Sequence, residues 1–175
     1  MSQLKVDSIV PRGGLPSGAS GGIIQTKSAF KGNTFTTTSG SFVDVTGLSV
    51  SITPQSTSNK ILVFVSICGN GRPGQARNIP RLVRGSTPIG NSTDAGDRIA
   101  GFGQMYDPND GTNVATNSIM FLDSPATTSA TTYKVQIVNG NNNGNVMCIN
   151  RSYNDSTGSA NHRYSSCITV MEISA

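Results

Sequence analysis

A single histidine, nine carboxylates and three cysteines are this chain's supply of groups for acid–base, nucleophilic or metal chemistry. His162 sits in the loop GSANHRYSS. A Ser-His-Asp hydrolase needs that imidazole held by a buried carboxylate and aimed at an activated hydroxyl. No GxSxG elbow accompanies it, so a surface loop histidine is expected. Glycan hydrolysis asks for paired carboxylates. The close pairs are Asp94/Asp97 and Asp107/Asp110, both in Gly-rich loops, where aspartate commonly caps turns. Oxygen ligands crowd in Asp107-Pro108-Asn109-Asp110-Gly111, as calcium requires, but the spacing and terminal Glu of an EF-hand loop are missing. Cys68, Cys148 and Cys167 form no CxxC or Cys/His pattern, and each lies in an aliphatic run where a thiol acts as a small hydrophobe. Cys148 and Cys167 could face one another on paired strands, although a reducing site of synthesis is the simpler account. Residues 69–74, GNGRPG, are Gly-rich, but proline interrupts them and no helix follows to cradle a phosphate. No catalytic residue, metal or cofactor is therefore expected, and the chain reads as a non-enzyme.

Bulk properties narrow the partners. The net charge is +4, and charged residues make up only 13% of the chain. Arg72, Arg77, Arg81 and Arg84 cluster, but without interleaved aromatics to stack on bases. They read as solvated loop and strand-edge arginines, and no nucleic-acid partner is expected. No window approaches the roughly 20 apolar residues of a membrane span, and MSQLKVDSIV lacks the apolar stretch of a secretion signal. Synthesis in a cytoplasm without membrane insertion is the expectation.

The elements that would position these groups are strands. Ser, Thr, Asn and Gly dominate the polar share, favouring strands and tight turns over helices. No apolar period of 3.6 persists for ten residues. Strands are expected at 23–30, at 42–52 with a bend at Gly47, at 60–68, 79–84, 118–122, 131–138, 146–150 and 167–173, with a short one possible at 99–105. The continuous run KILVFVSIC at 60–68 predicts a central strand buried on both faces. TTYKVQIV at 131–138 places Tyr133, Val135 and Ile137 on one face. Residues 139–144, NGNNNG, form a turn-prone linker. About eight strands without helices predict an all-β fold, a single jelly-roll β-sandwich over residues 23–175. Ahead of it, residues 1–22 are too rich in Gly, Pro and Ser to fold alone, and they read as an extended assembly arm anchored by Leu4, Val6, Ile9 and Val10.

The opening MSQLKVDSIVPRGG, the strand-turn Leu82, Arg84, Gly85, Ile89 and Gly90, and the closing Ile168, Met171, Glu172 and Ile173 carry a resemblance. Together they resemble tail-fibre and other virion structural proteins of marine phages and cyanophages. That resemblance implies a trimeric jelly roll of the complement C1q and tumour-necrosis-factor type, located in the virion. The partners it implies are the chain itself as a homotrimer and other phage virion proteins bound through the arm. The chain lacks the repetitive shaft of longer fibres, so a short tail fibre or tail-associated protein and a capsid decoration protein are both open. Contact with host surface glycan would come from the long loops, through Arg72, Arg77, Phe102, Tyr106, Asp107 and Asp110. The rival from another class is a free carbohydrate-binding module, which would normally offer an aromatic platform. A depolymerase, needing a carboxylate pair in a groove, ranks below both.

Overall fold

The computed structural model describes residues 21–93, 96–159 and 161–175; the arm residues Leu4, Val6, Ile9 and Val10, and Asp94, lie outside them. The described residues form ten strands: β1 (Ile23–Lys31), β2 (Phe35–Thr37), β3 (Val43–Ile52), β4 (Lys60–Gly71), β5 (Asn78–Arg84), β6 (Thr87–Ile89), β7 (Ala115–Asp123), β8 (Thr131–Asn139), β9 (Met147–Ile149) and β10 (Ser166–Ile173). Eight of them are the strands expected from the sequence, and β2 and β6 are three-residue additions. The possible strand at 99–105 is absent; only Met105 forms an isolated bridge, to Asn78. Gly101 and Gly103 press against the Pro80 carbonyl and the Asn117 side chain, where a Cβ would collide. That close packing takes the place of a ladder.

All pairings are antiparallel and build two sheets. One runs β1-β10-β4, with β7 on the far side of β4 and the short β9 and β2 extending one end. The other runs β3-β8-β5-β6. The two pack as a jelly-roll β-sandwich. Alternation drives the packing, because successive strand side chains point to opposite faces. Along β10, Ser166, Ile168, Val170 and Glu172 are buried while their neighbours are half-buried. Ile61, Val63, Val65 and Ile67 of β4 line the same inner face, and Tyr133, Val135 and Ile137 from β8 with Val45, Leu48, Val50 and Ile52 from β3 complete the core from the other sheet. Gly47 sits at φ +89, and the β3–β8 register slips between Asp44 and Ser49, so the expected bend is a bulge.

The double burial expected for residues 60–68 is corrected. β4 is central, paired with β10 on one side and β7 on the other, but from Lys60 to Ile67 only its odd-numbered side chains are fully covered. Leu62 is half-buried and Phe64 is 39% exposed. Leu62 and Phe64, in the middle of the outward row, are as apolar as their inward neighbours, which hid the alternation from a pattern reading.

One inward position carries a carboxylate. Glu172 is fully buried and accepts hydrogen bonds from Gln25 Nε2 at 2.6 Å, Asn59 Nδ2 at 2.6 Å and the Gln55 amide at 2.7 Å. Burial pushes its pKa up, but these donors and the Ser56 amide together outweigh it and hold the group below the usual glutamate range. A depressed folded pKa stabilises the fold above the unfolded value of about 4.3 and loses that contribution as pH falls through the folded pKa. Melting temperature should therefore decline on acidification below about pH 4.3. Glu172→Gln should cost about 1–3 kcal/mol at pH 7, because it turns an amide toward buried donors. It should also shrink the acid-dependent part of the decline. Parallel thermal melts of both proteins from pH 7 to pH 3 would check this.

Candidate functional site

Two surfaces stand out. The first is the outer face of β1, β10, β4 and β7. Register places Phe64 opposite Met120 and Thr169, and Leu62 opposite Leu122 and Met171. Cys167 lies between Phe30 and Ser66 in the next row. Phe30 is 73% exposed, Met120 66% and Leu122 50%. Lys60, at one end and bonded to Ser124 Oγ, is the one charged side chain at the outward positions of these four strands. The exposed apolar cluster of Phe64, Met120 and Leu122 on this face is the kind of feature that marks an interaction site.

The second surface is one end of the sandwich, where four loops are tied together. Gly74 N bonds Asp107 O at 2.8 Å, Arg72 N bonds Val146 O at 3.0 Å, and Asn154 N bonds Gly111 O at 3.1 Å. Asn141 and Asn143 each donate Nδ2 to the Gln75 carbonyl, at 2.7 and 2.6 Å, and Asn145 donates to Gln75 Oε1. The segment read as a turn-prone linker is thus half of a polar clasp, and its partner Gln75 was not singled out.

The six candidate contact residues divide here. Arg77 stacks over the Tyr106 ring at 5.6 Å, so those two are brought together. Arg72 is exposed and donates to Asn145 Oδ1 at 3.0 Å. Asp110 is exposed and accepts from the Thr112 hydroxyl and amide, which hold its carboxyl below the usual range. Phe102 and Asp107 are turned inward. Phe102 packs on the core, and Asp107 is fully buried, its oxygens accepting the amides of Asn109, Gly111 and Asn113. Asp107 shapes the loop that presents Tyr106 and Asp110. Its two oxygens are directed at amides, which leaves the calcium reading of this loop without its first ligand.

The remaining reactive groups are dispersed. Cys68 and Cys148 are buried free thiols and Cys167 is a half-buried one, so Cys148 and Cys167 do not pair. Burial pushes the Cys148 thiol up to about 11. His162 is exposed, its ring 6.1 Å from that of Tyr164. Among the described residues no group of three or more His, Cys, Asp or Glu could hold a metal ion, and no helix is long and apolar enough to cross a membrane.

No family model and no curated protein matches this chain. The functional reading therefore rests on the two surfaces.

Two features of these surfaces had a faint signal in the sequence. The outward row Met120 and Leu122 lies inside the run SIMFLD, whose unbroken apolarity marks a strand with two apolar faces. The Arg84 guanidinium, read as a solvated arginine, instead bonds the buried Asp123 carboxylate at 2.8 Å.

Proposed function

We propose that this chain is a structural, self-associating module of a bacteriophage particle, and that three copies close around the uncharged outer face of β1, β10, β4 and β7. That face is the observation that carries the reading. A face-to-face contact that covers Phe64, Met120 and Leu122 removes apolar area from water at about 25 cal/mol per Å². It also supplies the second burial that the apolar run of β4 calls for. The threefold count and the virion setting come from the resemblance of the opening, strand-turn and closing segments. A short tail fibre or tail-associated protein is the favoured role, with capsid decoration second. Gly21 N bonds Ser174 O at 3.0 Å, so an arm ahead of the sandwich would leave it beside Ser174. The tied loops, with Arg72, Arg77, Tyr106 and Asp110 outward, would face host surface glycan. The rival free carbohydrate-binding module is disfavoured by Tyr106, whose ring is already faced by Arg77.

Solution mass tests the association directly. The wild-type protein should sediment as a trimer, and Phe64→Lys with Met120→Lys should sediment as a folded monomer with an unchanged circular dichroism spectrum. Wild-type protein that stays monomeric at tens of micromolar would sink the reading.

A further inference from the structure

A cavity of about 430 Å³ opens beside β5 and β6 of the four-stranded sheet. Its walls include Phe42, Arg81, Pro88, Ile89, Asn91 and Ile99. That volume falls in the range of roughly 300–1,000 Å³ typical of small-ligand sites, and it suits one or two sugar rings. What distinguishes the cavity is how Arg81 is held. Its guanidinium lies 3.6 Å from the Phe42 ring centroid, a stacked cation–π contact. Nε and Nη2 both donate to Gln136 Oε1, at 2.9 and 2.7 Å. Ring and amide together fix the plane of the group, while Nη1 bonds no other described residue. Asp44, the carboxylate whose field reaches Arg81, is already engaged by Lys134 Nζ at 2.8 Å and Gln136 Nε2 at 2.6 Å. The Arg81 charge is thus prearranged, and Asp44 makes no direct ion pair with it.

The other walls specify more than an anion. Pro88, Ile89, Ile99 and Ala100 offer apolar surface, which a bare phosphate would not use. Asn91 turns its Nδ2 to the Leu82 carbonyl at 3.4 Å, and its Oδ1 is enclosed without a hydrogen-bond partner among the described residues. A sugar ring suits these walls, with its C–H face toward the aliphatic side chains. A neutral sugar would stack on a bare aromatic ring, but one face of Phe42 is occupied by the guanidinium. We propose that this cavity binds an acidic sugar unit, its carboxylate or sulfate paired with Arg81 and its ring laid on the apolar walls. This deepens the glycan-contact part of the proposed function and rests on it for the source of the sugar, while placing the contact on the sheet rather than at the loop end.

Titration calorimetry on the full-length protein tests the site with three probes: tri-galacturonate for a carboxylate, a sulfated carrageenan oligosaccharide for a sulfate, and maltotriose as the neutral control. At least one acidic probe should bind saturably at one site per chain, and maltotriose should not. Arg81→Gln should weaken that binding tenfold or more. Thr93→Glu, at the exposed rim, should weaken it similarly without touching the Arg81–Phe42 stack, which covers the case in which Arg81→Gln misfolds. The same titration on the Phe64→Lys, Met120→Lys protein should give unchanged affinity per chain, so failure of self-association and failure of this site are read separately. Equal binding of maltotriose, affinity unaffected by Arg81→Gln and Thr93→Glu, or no saturable binding of either acidic probe would overturn the assignment.

Discussion

Val63→Asp should be recovered only in the insoluble fraction, whereas Phe64→Asp, one residue along β4, should be soluble with a melting curve close to the wild type. Val63 has no exposed surface and its strand neighbours in register are Val170 and Phe121. A carboxylate there meets only hydrocarbon, and leaving such a group unpaired costs several kcal/mol. A domain's whole margin is about 5–15 kcal/mol, so one such charge removes most of it. Phe64 points the other way, opposite Met120 and Thr169, with 39% of its surface in water. A charge at that position is solvated in the single chain and is felt only where a second copy covers the face. The pair of variants thus reads fold and association separately, by solubility for one and by solution mass for the other. A soluble, native-like Val63→Asp protein would mean that the inward row of β4 is misassigned.

The difference between those neighbours also marks how far the sequence can be read. In residues 131–138 the outward positions are Thr132, Lys134 and Gln136, so polarity alternates visibly and the buried row Tyr133, Val135 and Ile137 is legible. In β4 the outward positions 62 and 64 are Leu and Phe, so the middle of the run does not distinguish the two faces, and polar Lys60 and Ser66 mark the outward row only toward its ends. Composition recorded that both faces are apolar, but the covering of only one is a property of the folded chain. Contacts that cross the fold left still less trace. Gln75 is clasped by Asn141, Asn143 and Asn145, which lie 66 to 70 positions away, and no local pattern joins them. Turn chemistry accounts for those asparagines locally, so the clasp was invisible behind a sufficient simpler reason. Asp107 shows the converse: its residue type did suggest a loop role, but only the geometry shows that it serves its own loop's amides. The Phe42–Arg81 stack joins β5 to the residue just ahead of β3, again across the topology.

Asp123→Ala should cost about 3–5 kcal/mol, the largest loss expected from removing a single side chain outside the hydrophobic rows. Asp123 ends β7 in one sheet, while Arg84 on β5 and Tyr133 on β8 are register partners in the other. Arg84 Nη1 donates to both carboxylate oxygens at 2.8 Å, and the Tyr133 hydroxyl donates to Oδ2 at 2.6 Å. Burial, with the Asp123 carboxylate beside it, pushes the Tyr133 hydroxyl far above its ordinary pKa, so it stays a proton donor throughout the accessible range. The side chain of Asp123 is only 7% exposed and that of Arg84 29%, so solvent cannot replace the carboxylate fully. Removing it strands a fully buried hydroxyl and a half-buried guanidinium at once. Tyr133→Phe keeps the ring's packing and deletes one donor, for an expected loss of about 1–3 kcal/mol. The two changes should not add, because both delete the same hydrogen bond, and a double-mutant cycle by denaturant unfolding at pH 7 should give a coupling of about 1 kcal/mol or more. Additive losses, or an Asp123→Ala cost within the roughly 0.5 kcal/mol usual for surface substitutions, would show that the two sheets are held together by apolar packing alone. Since the cluster joins the sheet bearing the apolar face to the sheet bearing the Arg81 cavity, its loss should also loosen how the two surfaces are held relative to each other.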